Sequence, residues 1–317
     1  MAVYSLRRTI MIMEDNNTLD ADQLRYANKV SPAPISLAQS NNQESYLDID
    51  NPSRIRTYPT ETFRSLPVSG LPNVRDLGGI YLRNGGVIEC GKVIRSASPQ
   101  FLTPEGAEEL FSYGVRTIID LRSPGESDIE GIGHLQPLVD GGRITHKRIP
   151  IMSDKERDND PIGSVDGVDE ASLHYVNYLR SGHKFVDIVE TVIDTASAGG
   201  ATLLHCALGK DRTGVSISVI LDAVGVTHEH IVEDYALTAP HLEHMVTFLS
   251  SSQSYRRDFT KPDWVSLAPQ PHGIAGMLQW IQDSYGDAAG YLRSHGLSEN
   301  RLEALRETLR YVPASLR

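Results

Sequence analysis

The stretch ATLLHCALGKDRTGVSISVILDAV, residues 201–224, constrains the fold more than any other part of the chain. ATLLH reads as a short apolar strand, and VSISVILDAV is apolar almost all round, as suits a helix buried against a sheet, with Gly225 as its stop. Between them, HCALGKDRTG packs a cysteine, a lysine, an aspartate and an arginine into a turn with two glycines. Strand, turn and buried helix form the unit of an α/β sheet with parallel strands, where ligands bind beyond the carboxyl ends of the strands. His205 to Gly214 falls at such an end.

The rest of the chain agrees with that frame. Short apolar runs at Val87–Ile88, Val93–Ile94, Thr117–Leu121, Ile144–Pro150 and Thr202–His205 predict strands. Phe185, Ile188, Val189, Val192 and Ile193 recur at helical spacing and stop at Gly199 and Gly200. Two further helices are expected at Met277–Tyr285 and Glu299–Tyr311, the second capped by Ser298. The fold class expected is α/β, a central, mostly parallel sheet flanked by helices. Residues 59–317 form the expected catalytic domain, and residues 1–58 a flexible polar extension with one short helix near Leu19–Asn28. Tyr235–Leu249 has helical texture, SSSQSY breaks it, and PDWVSLAPQPHG reads as a loop with three prolines. That segment is expected to be either a helical lid over the cleft or a surface excursion.

Composition narrows the function. The formal net charge of −11 argues against general nucleic-acid binding and against attraction to an anionic membrane. No window approaches the run of about 18 apolar residues needed for a membrane span, and the opening MAVYSLRRTIMIMED lacks a secretory pattern. Two cysteines, Cys90 and Cys206, make no disulfide framework and fit a reducing, cytoplasmic compartment.

A loop between a strand and a helix N-terminus directs backbone N–H groups and the helix dipole at one point, which makes it an anion site. Arg212 can close on a phosphate with two parallel hydrogen bonds. The same field stabilises a thiolate at Cys206, the form that attacks. Thr213 can donate to that thiolate or to the phosphate. In Cys-x5-Arg, five intervening residues let the loop wrap three phosphate oxygens with the sulfur beneath phosphorus, and Gly209 permits the tight curve. The nucleotide-binding pattern G-x-x-x-x-G-K-[ST] fails twice, with Leu204 at the first glycine and Asp211 after the lysine. A buried structural cysteine under a solvated loop leaves the grouping of His, Cys, Lys, Asp and Arg unexplained. His228, His230, His241 and His244 lack the partners of a metal site, so neither metal nor cofactor is expected. Asp76, Gly78 and Gly79 read as a tight turn. Asp120, Arg122 and Glu126 either brace the loop by ion pairs or cap a strand end, and Cys90 reads as a strand residue near a turn.

In the loop the chain resembles the protein tyrosine phosphatase superfamily, in the branch whose loop reads HCxxGKDRTG. NVRDLGG at 73–79, IRSASPQFLTPEGAEEL from 94, VRTIIDLRSPGE at 115–126, EDYALT at 233–238 and the stretch YGDAAGYLRSHGLSENRLEALRETL extend the likeness over roughly residues 60 to 311. The resemblance implies a cysteine phosphatase fold. It implies Cys206 as nucleophile, Arg212 as phosphate clamp, and the backbone of Ala207, Leu208, Gly209, Lys210, Asp211 and Arg212 as the cradle. His205 would support the loop, Asp211 would be the general acid, and Lys210 is associated in this branch with phosphoinositide recognition or else is a solvated partner of Asp211. Asp154 is the alternative acid, and Arg75 or Arg122 could approach the substrate. The expected partner is a phosphorylated protein or a phosphoinositide. Phosphotyrosine, phosphoserine or phosphothreonine, and phosphoinositide substrates stay open, as does the oligomeric state. The competing readings are a phosphate-binding module without turnover and a persulfide-based sulfur transferase.

Overall fold

The computed structural model describes residues 64–159, 165 and 167–312, together with the backbone of two short strands, β1 (Ser45–Leu47) and β2 (Ile55–Thr57), which pair antiparallel. That pair lies within the stretch read from sequence as irregular. The helix expected at Leu19–Asn28 and the boundary at 58 and 59 lie outside the described residues. The compact unit that carries the loop runs Ser45–Arg317.

Five strands build its central sheet: β3 (Arg75–Asp76), β5 (Val93–Ser96), β6 (Val115–Asp120), β7 (Thr145–Arg148) and β8 (Ala201–His205). Their order is β3-β5-β8-β6-β7; β5, β8, β6 and β7 run parallel, and β3 lies antiparallel at the edge. β8 is therefore the middle strand, and its register sets Ser96 and Asp120 on either side of His205. The carboxyl ends of three strands meet where the loop begins. β4 (Val87–Ile88) pairs with β9 (Arg310–Tyr311) outside this sheet.

Strand alternation divides the core. Ile119 and Leu204 face one buried layer, while Ile94, Ile118 and Leu203 face another. The first layer is made with α5 (Glu170–Leu179), α6 (Gly182–Ser197), α7 (Asp211–Ala223), α8 (His228–Ala236), α12 (Pro271–Tyr285), α13 (Ala288–Ser294) and α14 (Glu299–Leu309). The second is covered by α1 (Pro104–Tyr113) and α3 (Gln136–Asp140). Between these, α2 (Pro124–Glu130) follows β6 and α4 (Asp154–Asn159) follows β7. From Arg212 to Ala223 α7 is buried on every side, as its apolar sequence required, and Gly225 beyond it has φ +95°.

Residues 237–270 add α9 (Leu242–Leu249), α10 (Arg256–Phe259) and α11 (Trp264–Leu267). Met245, Leu249, Tyr255 and Phe259 bury against Ala207 and Leu208, so this helical excursion packs on the loop itself. Four local expectations are corrected. Tyr235–Leu249 is two helices, interrupted where Pro240 enters a tight turn. PDWVSLAPQPHG contains α11 and the start of α12, because Asp263 caps one helix and Pro271 opens the next. The last helix stops at Leu309, and Arg310–Tyr311 extend to pair with β4. Cys90 sits in the turn after β4 rather than in the strand, half-buried. Among the described residues no helix is long and apolar enough to cross a membrane.

Candidate active site

The loop Cys206–Lys210 joins β8 to α7, and its shape is fixed by donors that reach it from three directions. Ser98 N donates to Ala207 O at 2.9 Å, Asn73 Nδ2 to Leu208 O at 3.0 Å, and Arg95 Nη2 to Gly209 O at 2.8 Å. In a trans peptide the C=O of one residue and the N–H of the next point opposite ways. Holding carbonyls 207, 208 and 209 outward therefore turns the amides of Leu208, Gly209 and Lys210 toward the inside of the loop. Gly209 has φ +65°, and a Cβ there would run into the carbonyl of Ser96, so both backbone and space demand glycine.

Cys206 opens the loop, buried. His205, before it, is fully buried beneath the sheet end; its Nδ1 lies 3.2 Å from Cys206 O and its Nε2 3.9 Å from Asp120 Oδ1. Burial outweighs the nearby Asp120 charge and pulls this imidazole down to about 4, so it is neutral at pH 7.

Arg212 enters in the first turn of α7 and is gripped by Glu126 through two bonds, Nη1–Oε2 at 2.5 Å and Nη2–Oε1 at 2.9 Å. Glu126 owes its place to α2, where Ser123 and Glu126 form a reciprocal cap. Burial opposes ionisation of both groups, yet each other's charge and hydrogen bonds win. Glu126 falls to about 2 and Arg212 stays well above its ordinary value, with the Cys206 sulfur also favouring the guanidinium charge. Bracing by an ion pair is thus what Glu126 does. Asp120 and Arg122 pair with each other, at 2.8 and 2.6 Å, and Arg122 also donates to Ser98 Oγ and Gly131 O. Arg122 is buried and its guanidinium is engaged by these partners, which weighs against the alternative in which it approaches the substrate.

The same holds for Arg75. It is buried and bonded to Asp234, which also holds Arg64 and Arg95, at 3.1, 2.8 and 2.6 Å respectively. Burial opposes the Asp234 charge, but three guanidinium groups keep the carboxyl far below the usual range. The residues that sequence reasoning gave no chemistry are therefore Asn73, Arg95, Asp234 and Arg64. Asn73, Arg95 and Asp234 sit in NVRDLGG, IRSAS and EDYALT, and a buried arginine in an otherwise apolar strand was the available signal.

Lys210 is buried, not solvated: its Nζ donates to Leu267 O at 2.7 Å and lies 3.5 Å from Asp211 Oδ1. Asp211, the first residue of α7, keeps about a quarter of its side chain exposed and accepts from Tyr175 OH at 3.1 Å. Thr213 is buried with no hydrogen-bond partner for Oγ1 among the described residues. Both oxygens of Asp154 lie on the amide of Gly125, at 3.0 and 3.1 Å, at the start of α2. Asp76 accepts from the amides of Gly78 and Gly91, which makes the turn read from sequence. His228 lies 3.4 Å from Asp222, His230 meets Thr227, and His244 packs edge-on to Phe248. Among the described residues no three His, Cys, Asp or Glu side chains gather as for a metal ion.

A parallel α/β sheet whose central strand delivers a cysteine, an amide-lined loop and a braced arginine to the start of a buried helix defines a phosphatase. The chain belongs to the tyrosine phosphatase family, whose sequence profile matches residues 66–311. It is 29% identical over 233 residues to a tyrosine-protein phosphatase of Nostoc commune, covering 70% of this chain and 75% of that one. It is 26% identical over 283 residues to the triple specificity protein phosphatase PtpB of Mycobacterium tuberculosis, covering 78% of this chain and 98% of PtpB. The likeness to the solved structure of kinase-associated phosphatase is slight, with a TM-score of 0.29 and 16% identity over 60% of this chain and 85% of that one.

Proposed function

We propose that this phosphatase hydrolyses phosphotyrosine monoesters through a cysteinyl-phosphate intermediate, with Cys206 as nucleophile, Arg212 as clamp and Asp211 as general acid. The observation that carries this reading is the placement of Arg212. Glu126 holds its guanidinium within charge range of Cys206, and the amides of Leu208, Gly209 and Lys210 are turned inward. In the first step sulfur attacks phosphorus, the aryl oxygen departs with the P–O electron pair, and Asp211 gives it a proton, which a leaving group of pKa about 10 needs. In the second, water attacks phosphorus, Asp211 takes its proton, and the thiolate leaves with inorganic phosphate. Asp211 is favoured over Asp154 because its carboxyl is on the loop and partly open, whereas Asp154 has both oxygens on Gly125 N. The triple specificity in PtpB's name supports a wider range that takes in phosphoserine, phosphothreonine or phosphoinositide esters.

The test is phosphate release, without added metal, from a phosphotyrosine peptide, a phosphothreonine peptide and a phosphoinositide panel. Cys206→Ser is expected to bind these ligands and turn none over. Asp211→Asn should lose about 10²-fold or more on phosphotyrosine but much less on an activated aryl phosphate. Turnover surviving in Cys206→Ser would remove the cysteine mechanism. Binding without turnover by wild type would leave a phosphate-binding module, and a higher rate on phosphothreonine or phosphoinositides would displace phosphotyrosine.

A further inference from the structure

Asp211 is joined to a directed chain of hydrogen bonds that the reaction as written does not use. The backbone N–H of Gln270 donates to Tyr235 OH at 3.0 Å, the two phenol oxygens of Tyr235 and Tyr175 are 2.7 Å apart, and Tyr175 OH reaches Asp211 Oδ1 at 3.1 Å. Each hydroxyl has one proton, so the direction is set from one end. The Asp211 carboxylate can only accept, so the single proton of Tyr175 goes to Asp211, Tyr235 donates to Tyr175, and Gln270 N–H donates to Tyr235. The two rings meet edge to face, 6.0 Å between centroids, and both side chains are buried. Burial first, and the Asp211 charge second, push both phenols well above their ordinary value, so they stay protonated donors across the working pH range.

We infer that Tyr175 and Tyr235 are positioning residues for the general acid, a relay through which the segment Leu267–Gln270 orients the Asp211 carboxyl. This rests on the reading of Asp211 as the acid. Three elements converge: Tyr175 comes from α5, Tyr235 from α8, and Gln270 from the residue that precedes α12. The same segment touches the neighbouring loop residue, since Leu267 O accepts from Lys210 Nζ, which in turn lies 3.5 Å from Asp211. The excursion is therefore fastened to the loop at both the cation and the acid.

The groups that face Asp211 are Tyr175, Tyr235 and Lys210; Arg95, from β5, reaches Tyr235 by charge and Gly209 O by hydrogen bond. His272, in the first turn of α12, faces Asp169 instead. Bonds in a chain polarise one another, and the one from Tyr175 fixes the direction in which the Asp211 carboxyl points. Removing the phenol of Tyr175 thus loosens the aim of Asp211.

The experiment is kcat and KM on a phosphotyrosine peptide and on an activated aryl phosphate for wild type, Tyr175→Phe, Tyr235→Phe and Asp211→Asn, with a melting curve for each. In Tyr175→Phe kcat is expected to fall several-fold on phosphotyrosine with KM little changed, and to change little on the activated ester, whose leaving group needs no proton. Tyr235→Phe, which cuts the chain one bond further back, should lose less in the same pattern, and it carries the test if Tyr175→Phe does not fold. Equal losses on the two substrates, or no loss on phosphotyrosine, in the folded tyrosine variants, with the phosphotyrosine-selective loss present in Asp211→Asn, overturn the relay and leave the acid in place. An Asp211→Asn variant that loses nothing on phosphotyrosine removes Asp211 as the acid, and the relay falls with it.

Discussion

Arg212 carries a positive charge almost out of reach of water, and Glu126 does most to make that tolerable. The pair is bidentate and buried, so its own attraction is offset by the cost of stripping water from both ions. What it supplies is direction: a guanidinium fixed in the plane of the Glu126 carboxylate before any phosphate arrives. Glu126→Ala leaves an uncompensated buried charge, and the expected loss is about 3 kcal/mol of folding stability, measured by urea unfolding. Glu126→Gln keeps the shape and one acceptor, so it should lose less stability while still raising KM for a phosphotyrosine peptide. A Gln variant with unchanged KM would mean that Arg212 is aimed by its helix alone. The same residue scale explains Gly209, where a left-handed turn and the carbonyl of Ser96 leave no room for a side chain.

At the scale of elements, β8, the loop and α7 were legible from sequence because each follows a local rule. An apolar strand, a glycine at the curve and a helix apolar on all sides need nothing from elsewhere in the chain to be recognised. The two core layers follow from strand alternation in the same way. The outer braces were not legible, since they join residues far apart: Asn73 and Arg95 to the loop, and Arg64, Arg75 and Arg95 to Asp234. Their polarity is visible, but a buried arginine does not announce its carboxylate, so approach of Arg75 or Arg122 to the substrate stays open on the sequence beside the bracing read for Arg122. The strand at Arg310–Tyr311 escapes the sequence because tertiary pairing with β4 overrides the local helical pattern, whereas the helix break near Pro240 has a local cause in the proline itself. Asp234 ties β3 and β5 to α8 while Arg95 continues to Gly209 O, so the loop depends on it at second hand. Asp234→Asn should unfold at least about 3 kcal/mol more easily, because three buried guanidinium groups then share no full negative charge. In the fraction that stays folded, kcat/KM should fall as Arg95 loses its anchor, and activity equal to wild type in that fraction would show that Asn73 and Ser98 hold the loop alone.

Over the whole molecule, the fully buried His205 couples folding to pH. It lies under the loop among Asp120, Arg122 and His146, and burial pulls its imidazole down to about 4 from 6.5. In the unfolded chain the same imidazole takes up a proton as pH falls through 6.5, while the folded protein resists until about 4. Between those values the unfolded state binds more protons, so stability must fall as pH falls. Above about 6.5 this contribution costs nothing; below about 4 it has reached its full size. The gap, at about 1.4 kcal/mol per pH unit, makes that size about 3 kcal/mol. Half-buried His241, also pulled down by burial, acts with the same sign in the same window and adds to the slope. Glu126 acts separately and later: its stabilising ionisation is complete above about 4.5 and is lost as pH drops through about 2. Urea unfolding at pH 7, 6, 5 and 4.5 should therefore show a decline well before the carboxylates titrate. His205→Asn, which cannot take up a proton in either state, should flatten most of that decline even if it is less stable at pH 7. An equally steep decline in the variant would place the proton uptake on other histidines and take His205 out of the account of acid stability.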